Sequence, residues 1–131
     1  MIETKDLVGA WTIEAFKLTD GKGVTIEPWE PGATGYLVYG AEGHMAALIT
    51  AREKIAGAAS RTTTLGYSGP FECKGTHVLH HVTVASQPGI VGTTQRREAR
   101  LEDGRLILIS APSLVGGPGS KAELFWRRAQ K

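Results

Sequence analysis

Three polar side chains, His80, Gln95 and Arg97, are spaced so that a pair of strands would bring them together. Thr76 to Leu101 consists of two alternating runs joined by a Gln87-Pro88-Gly89-Ile90 turn. Successive strand residues point to opposite faces, so His80 shares a face with Val78, Val82 and Val84. In the second run the less charged face carries Thr93, Gln95, Arg97, Ala99 and Leu101. Closing the loop with Ser86 and Val91 sets His80 opposite Arg97 and Val82 opposite Gln95. Imidazole titrates near neutrality, so His80 is a candidate general base or acid, with Arg97 as its catalytic partner. Gln95 and Arg97 would hold the developing oxyanion of a carbonyl substrate.

A structural reading stands beside the chemical one. His80 could instead satisfy the core by hydrogen bonding to Tyr36, Tyr39 or Tyr67. An arginine taken out of water needs a partner. The strand acids Glu72, Glu98 and Glu123 fall on the opposite parity from the inward face. Either Arg97 reaches an acid such as Glu14, or its partner is a ligand: a carboxylate, an enolate, a phenolate or a polarised carbonyl.

Other chemistries find less support. Adjacent His80 and His81 point to opposite faces, and His77 and His81 have no third ligand nearby, so no metal is expected. Cys73 is the only cysteine, which excludes an internal disulfide and favours a buried thiol in a reducing compartment. The sequence has neither a phosphate-binding glycine loop nor a serine nucleophile elbow, and no cofactor is expected.

The elements needed to position these residues are strands. Seventeen glycines and six prolines break the 131 residues into short alternating segments, which suits one all-β domain over residues 1–131. A first strand spans Trp11 to Leu18, with Trp11, Ile13 and Ala15 on one face. Asp20 to Gly23 turns into Val24-Thr25-Ile26, and a proline-rich loop carries Trp29. Gly35–Tyr39 and His44–Thr50 form a hairpin about Ala41-Glu42-Gly43. Residues 51–64 favour one or two helical turns, as a flap or a plain connection. Strands resume at Leu65–Cys73 and, beyond the hairpin, at Arg105–Ser110 and Lys121–Arg128. Ala111–Gly119 reads as a mobile loop, and Thr4 as a helix cap near the start. The count is about eight to ten antiparallel strands.

A net charge of +2 is too small to attract nucleic acid or a membrane. The late arginines alternate with apolar residues and read as a solvated exterior. With no apolar run near the ~20 residues that span a bilayer and no leader pattern, the expected location is cytoplasmic.

Gly9-Ala10-Trp11 is similar to the G-x-W signature of calycin-type barrels. More specific is Tyr67-x-Gly69-x-Phe71-Glu72-x-x-Gly75-x-x-Val78-x-His80-His81, followed by Pro88 and Gly92-Thr93-x-Gln95-x-Arg97. With Gly35-Tyr36-Leu37-x-Tyr39, Gly43-x-Met45 and Leu124-x-Trp126-x-Arg128, the chain resembles the small lipocalin-like domain family over nearly its whole length. The resemblance implies an antiparallel lipocalin-like β-barrel with a central cavity. It also implies that Trp11 plugs the closed end with Arg128 stacked over it. Relatives of this architecture bind hydrophobic small molecules, and some act as cofactor-free cyclases or isomerases in natural-product pathways.

The expected partner is therefore a hydrophobic small molecule with a carbonyl or anionic group, contacted by Gln95, Tyr39, Tyr67, Met45, Val82 and Ala99. A homodimer is left open. Cofactor-independent isomerisation or cyclisation is the sharper expectation. The alternatives are a non-catalytic carrier or sensor, and a protein-interaction barrel with a filled core.

Overall fold

In the computed structural model, residues 1–110 and 120–130 are described; the Ala111–Gly119 loop read from the sequence lies outside them. A short helix α1 (Thr4–Leu7) precedes β1 (Gly9–Thr19), β2 (Thr25–Ile26), β3 (Thr34–Tyr39), β4 (His44–Glu53) and β5 (Arg61–Cys73). Next come β6 (His77–His81), β7 (Val84–Ala85), a 3-10 turn (Pro88–Ile90), β8 (Thr94–Glu102), β9 (Arg105–Ser110) and β10 (Lys121–Arg128). Eight strands pair in the order β10-β9-β8-β6-β5-β4-β3-β1, and β1 pairs back onto β10. The sheet is thus a closed antiparallel lipocalin-like barrel, with β2 added to β1 and β7 to β5. Closure removes the open edges that would otherwise invite association. Among the described residues, no helix is long and apolar enough to cross a membrane.

The core follows from strand alternation. Buried Leu37, Tyr39, Met45, Ile49, Phe71 and Val78 belong to one cluster with Leu7, Trp11, Leu106, Leu108 and Trp126. The turns fall where glycine allows a positive φ, as at Gly43 (100°) and Gly104 (77°).

Several local expectations are corrected. Residues 51–64 form no helix: β4 continues to Glu53 and β5 starts at Arg61, pairing Ala51 with Thr63 and Arg52 with Thr62. The strand-favouring threonines and the Arg61–Glu53 ion pair at 3.1 Å outweigh the local helical preference. The hairpin register is two residues from the expected one, with Val78 opposite Arg97 and His80 opposite Gln95. The reason is that the first run ends early. After the Val82–Thr93 closing bond of 2.9 Å, the chain leaves β8 and pairs Val84 and Ala85 with β5 instead. Val84 accordingly faces solvent, 58% exposed, rather than joining the inner wall. A shift of two preserves parity, so the inward face survives.

That change of partner requires a glycine. A Cβ at Gly69 would lie 1.8 Å from the carbonyl oxygen of His81, where the chain crosses β5. In β1 a register shift between Ile13 and Ala15 breaks the alternation, so Phe16 rather than Ala15 follows Ile13 inward. Thr4 opens α1 instead of capping it; the Asp6 carboxylate accepts a bond from the Glu3 N–H at 2.9 Å.

Candidate functional site

The barrel is not filled. A cavity of about 280 Å³ lies in the part of the barrel that β1 lines with Phe16, while Trp11 occupies the core. Phe16 and Trp29 meet at 4.6 Å between ring centres, and Leu37, Ile49, Leu108, Leu124 and Trp126 continue the apolar wall. The polar side is formed by Tyr67, His80, Gln95 and Arg97.

His80 is the hub of this side. It is only 1% exposed, and each ring nitrogen meets a tyrosine hydroxyl: Tyr39 at Nε2 and Tyr67 at Nδ1, both at 2.7 Å. Burial, reinforced by the charges of Arg97 and His81, lowers its pKa from 6.5 to about 3. The imidazole is therefore neutral at physiological pH, with one N–H to donate and one lone pair to accept. Burial pushes both tyrosines above the usual phenol range, opposed by Arg97, so both stay protonated.

Arg97 donates to its neighbour's carbonyl, Arg96 O, at 3.0 Å and to Gln95 Oε1 at 3.2 Å, and its charge opposes the rise of the Tyr67 pKa. Gln95 in turn donates to Thr93 Oγ1 at 2.8 Å. Among the described residues no carboxylate forms an ion pair with Arg97. Glu14, the acid considered for it, instead pairs with Arg105 at 3.1 Å and with Arg127. A guanidinium bordering an apolar cavity without an acid favours an anion or a polarised oxygen there.

Four of the residues singled out from the sequence thus line one wall: Tyr67, His80, Gln95 and Arg97. Tyr39, Met45, Val82 and Ala99 are buried behind the lining instead, and Tyr39 reaches the wall only through His80. Tyr36, the third tyrosine considered for His80, is 59% exposed. The sequence reading missed Phe16, Trp29 and Ile90. The first is hidden by the break in β1, and the other two lie outside any long strand, where alternation is silent.

The Trp11 end is differently built. Trp11 donates from Nε1 to Leu7 O at 2.9 Å, and the Arg128 guanidinium lies 4.0 Å from the Trp11 ring centre. Arg128 also donates to Val8 O at 2.7 Å and Asp6 O at 2.8 Å. Gly9, with φ of 122°, leaves room for it, since a Cβ there would come within 2.8 Å of Arg128 Nη1.

For a metal there is no set of ligands among the described residues: no three of His, Cys, Asp and Glu gather in one place. Comparison with solved structures finds a redesigned β-barrel, 15% identical, covering 97% of this chain and 95% of that one at a TM-score of 0.47. Two variants of the fluorescent protein UnaG are also similar, at 15% and 11% identity and TM-scores of 0.46 and 0.45. Each covers 98% of this chain and 100% of its own. No protein of curated description matches the sequence. A profile of the lipocalin-like domain family matches residues 8–129. With a closed barrel, a G-x-W strand and that match over nearly its whole length, the chain belongs to the lipocalin-like domain family.

Proposed function

We propose that this barrel binds a hydrophobic small molecule through a carbonyl or anionic oxygen held at Arg97. The observation that carries this reading is Arg97 itself, a cavity-lining cation with no acid paired to it among the described residues. The apolar lining supplies affinity and the Arg97–Tyr67–Gln95 wall supplies orientation. A cavity of about 280 Å³ lies just below the roughly 300–1,000 Å³ common for ligand pockets, which favours a compact ligand.

Binding as a carrier or sensor is the function the geometry supports best. Neutral His80, with both nitrogens engaged by tyrosines, is poorly disposed to abstract a proton. If a cofactor-independent isomerisation or cyclisation occurs here, the groups to carry it are the donors Arg97 and Tyr67, acting on an oxyanion. Native mass spectrometry of freshly purified protein tests the binding reading by detecting a co-purified ligand. Arg97→Ala should weaken binding of that ligand by roughly 10- to 100-fold, the worth of one charged hydrogen bond. Unchanged affinity would reject Arg97 as the anchor. Turnover that survives both Arg97→Ala and His80→Ala would reject catalysis by this wall.

A further inference from the structure

The direction of each hydrogen bond along Tyr39–His80–Tyr67 follows from counting hydrogens. Tyr39 is 1% exposed, and the only hydrogen bond its hydroxyl makes among the described residues is to His80 Nε2. If Nε2 carried the imidazole proton, it would donate to Tyr39, and the Tyr39 hydrogen would be buried without an acceptor. With Tyr39 donating to Nε2, the buried Tyr39 hydroxyl and both ring nitrogens are satisfied, and the hydrogen left over is that of Tyr67. The proton then resides on Nδ1, which donates to the Tyr67 oxygen at 2.7 Å. Accepting from Nδ1, the Tyr67 hydroxyl turns its own hydrogen away from His80. Tyr67 lines the cavity, which is where that hydrogen has room to find an acceptor.

From this geometry we infer that Tyr67 offers its hydroxyl hydrogen to the cavity, with Tyr39 and His80 as positioning residues that fix its direction. The site thereby selects ligands by an oxygen acceptor and discriminates against hydrocarbons of the same shape. The inference rests on the small-molecule reading above and adds the donor that reads the ligand. A hydroxyl hydrogen without an acceptor of its own suits a ligand bearing carbonyl, carboxylate or phenolate oxygen.

Two measurements on the intact protein test this. Nitrogen-15 NMR of the His80 ring should show the Nδ1–H tautomer, and Tyr39→Phe should convert it to the other tautomer or to a mixture. An Nε2–H tautomer in the wild type, or one insensitive to Tyr39→Phe, overturns the inference whatever binds. The second measurement titrates 2-acetylnaphthalene, 2-naphthoate and 2-ethylnaphthalene into wild type and Tyr67→Phe. The preference for acetyl over ethyl should fall roughly tenfold in Tyr67→Phe, the value of one hydrogen bond to an otherwise unsatisfied group. An unchanged preference overturns the inference and leaves small-molecule binding standing. A preference for 2-naphthoate that depends on Arg97 would mark a carboxylate as the oxygen source. Failure of all three probes to bind the wild type would count against the binding reading itself, while the tautomer would still decide the direction of the relay.

Discussion

Arg128 covers a core ring and Arg97 borders the cavity, and the two are satisfied in opposite ways. Arg128 stacks on Trp11 and donates to two backbone carbonyls, at 2.7 and 2.8 Å, that lie at the end of α1 and just beyond it. All of its partners are fixed by the fold. Arg97 donates only to a carbonyl of its own strand and to a glutamine two residues away among the described residues. Its remaining capacity faces the cavity. The same side chain is thus a fastening in one place and a receptor in the other, and what differs is whether the protein supplies the acceptors.

Substitutions can break this contrast. The largest effect is expected from Trp11→Ala, which removes a core side chain 2% exposed and should cost about 3–5 kcal/mol. A retained melting temperature would reject its architectural role. Arg128→Ala should cost about 1–3 kcal/mol in denaturant unfolding, through the lost stacking and the two carbonyls released. Next is a pH effect at His80. Its folded pKa of about 3 lies below the unfolded value of 6.5, so the unfolded chain binds the extra proton between the two. The stability tied to its neutral form is present above pH 6.5 and is lost as the pH falls toward 3, at up to about 1.4 kcal/mol per pH unit. His80→Gln should flatten that part of the pH–stability curve; identical slopes would remove His80 as its source. Smallest is Arg97→Ala, expected to leave stability within about 0.5 kcal/mol while weakening ligand binding. If it destabilised the barrel as much as Arg128→Ala, the two arginines would not differ in kind.

Much of the barrel was legible because alternation and turn chemistry agree. Arg105–Ser110 and Lys121–Arg128 match the sequence reading at both ends, and the glycine turns separate the expected hairpins. Parity also placed His80, Gln95 and Arg97 on one wall, a result that a two-residue register shift could not disturb. What was illegible depended on partners distant in sequence. Nothing local says that Val84 and Ala85 pair with β5, or that residues 51–53 and 61–64 extend a hairpin. The break in β1 likewise hid Phe16, because one extra residue reverses the inward parity. Tyr39 was tied to His80 by chemistry, but its place behind the wall rather than on it needed three dimensions.

The seam between β1 and β10 carries a kinetic consequence. It joins Trp11 to Arg128, and Phe16 to Leu124, across nearly the entire chain. Contacts so distant along the sequence are slow to form, because the loop-closure entropy is lost before the pairing repays it. During synthesis β1 must wait, its outer edge unpaired, until β10 has left the ribosome. The interval before that seam closes is when this protein is most exposed to aggregation, and the Trp11–Arg128 contact belongs to the step that ends it.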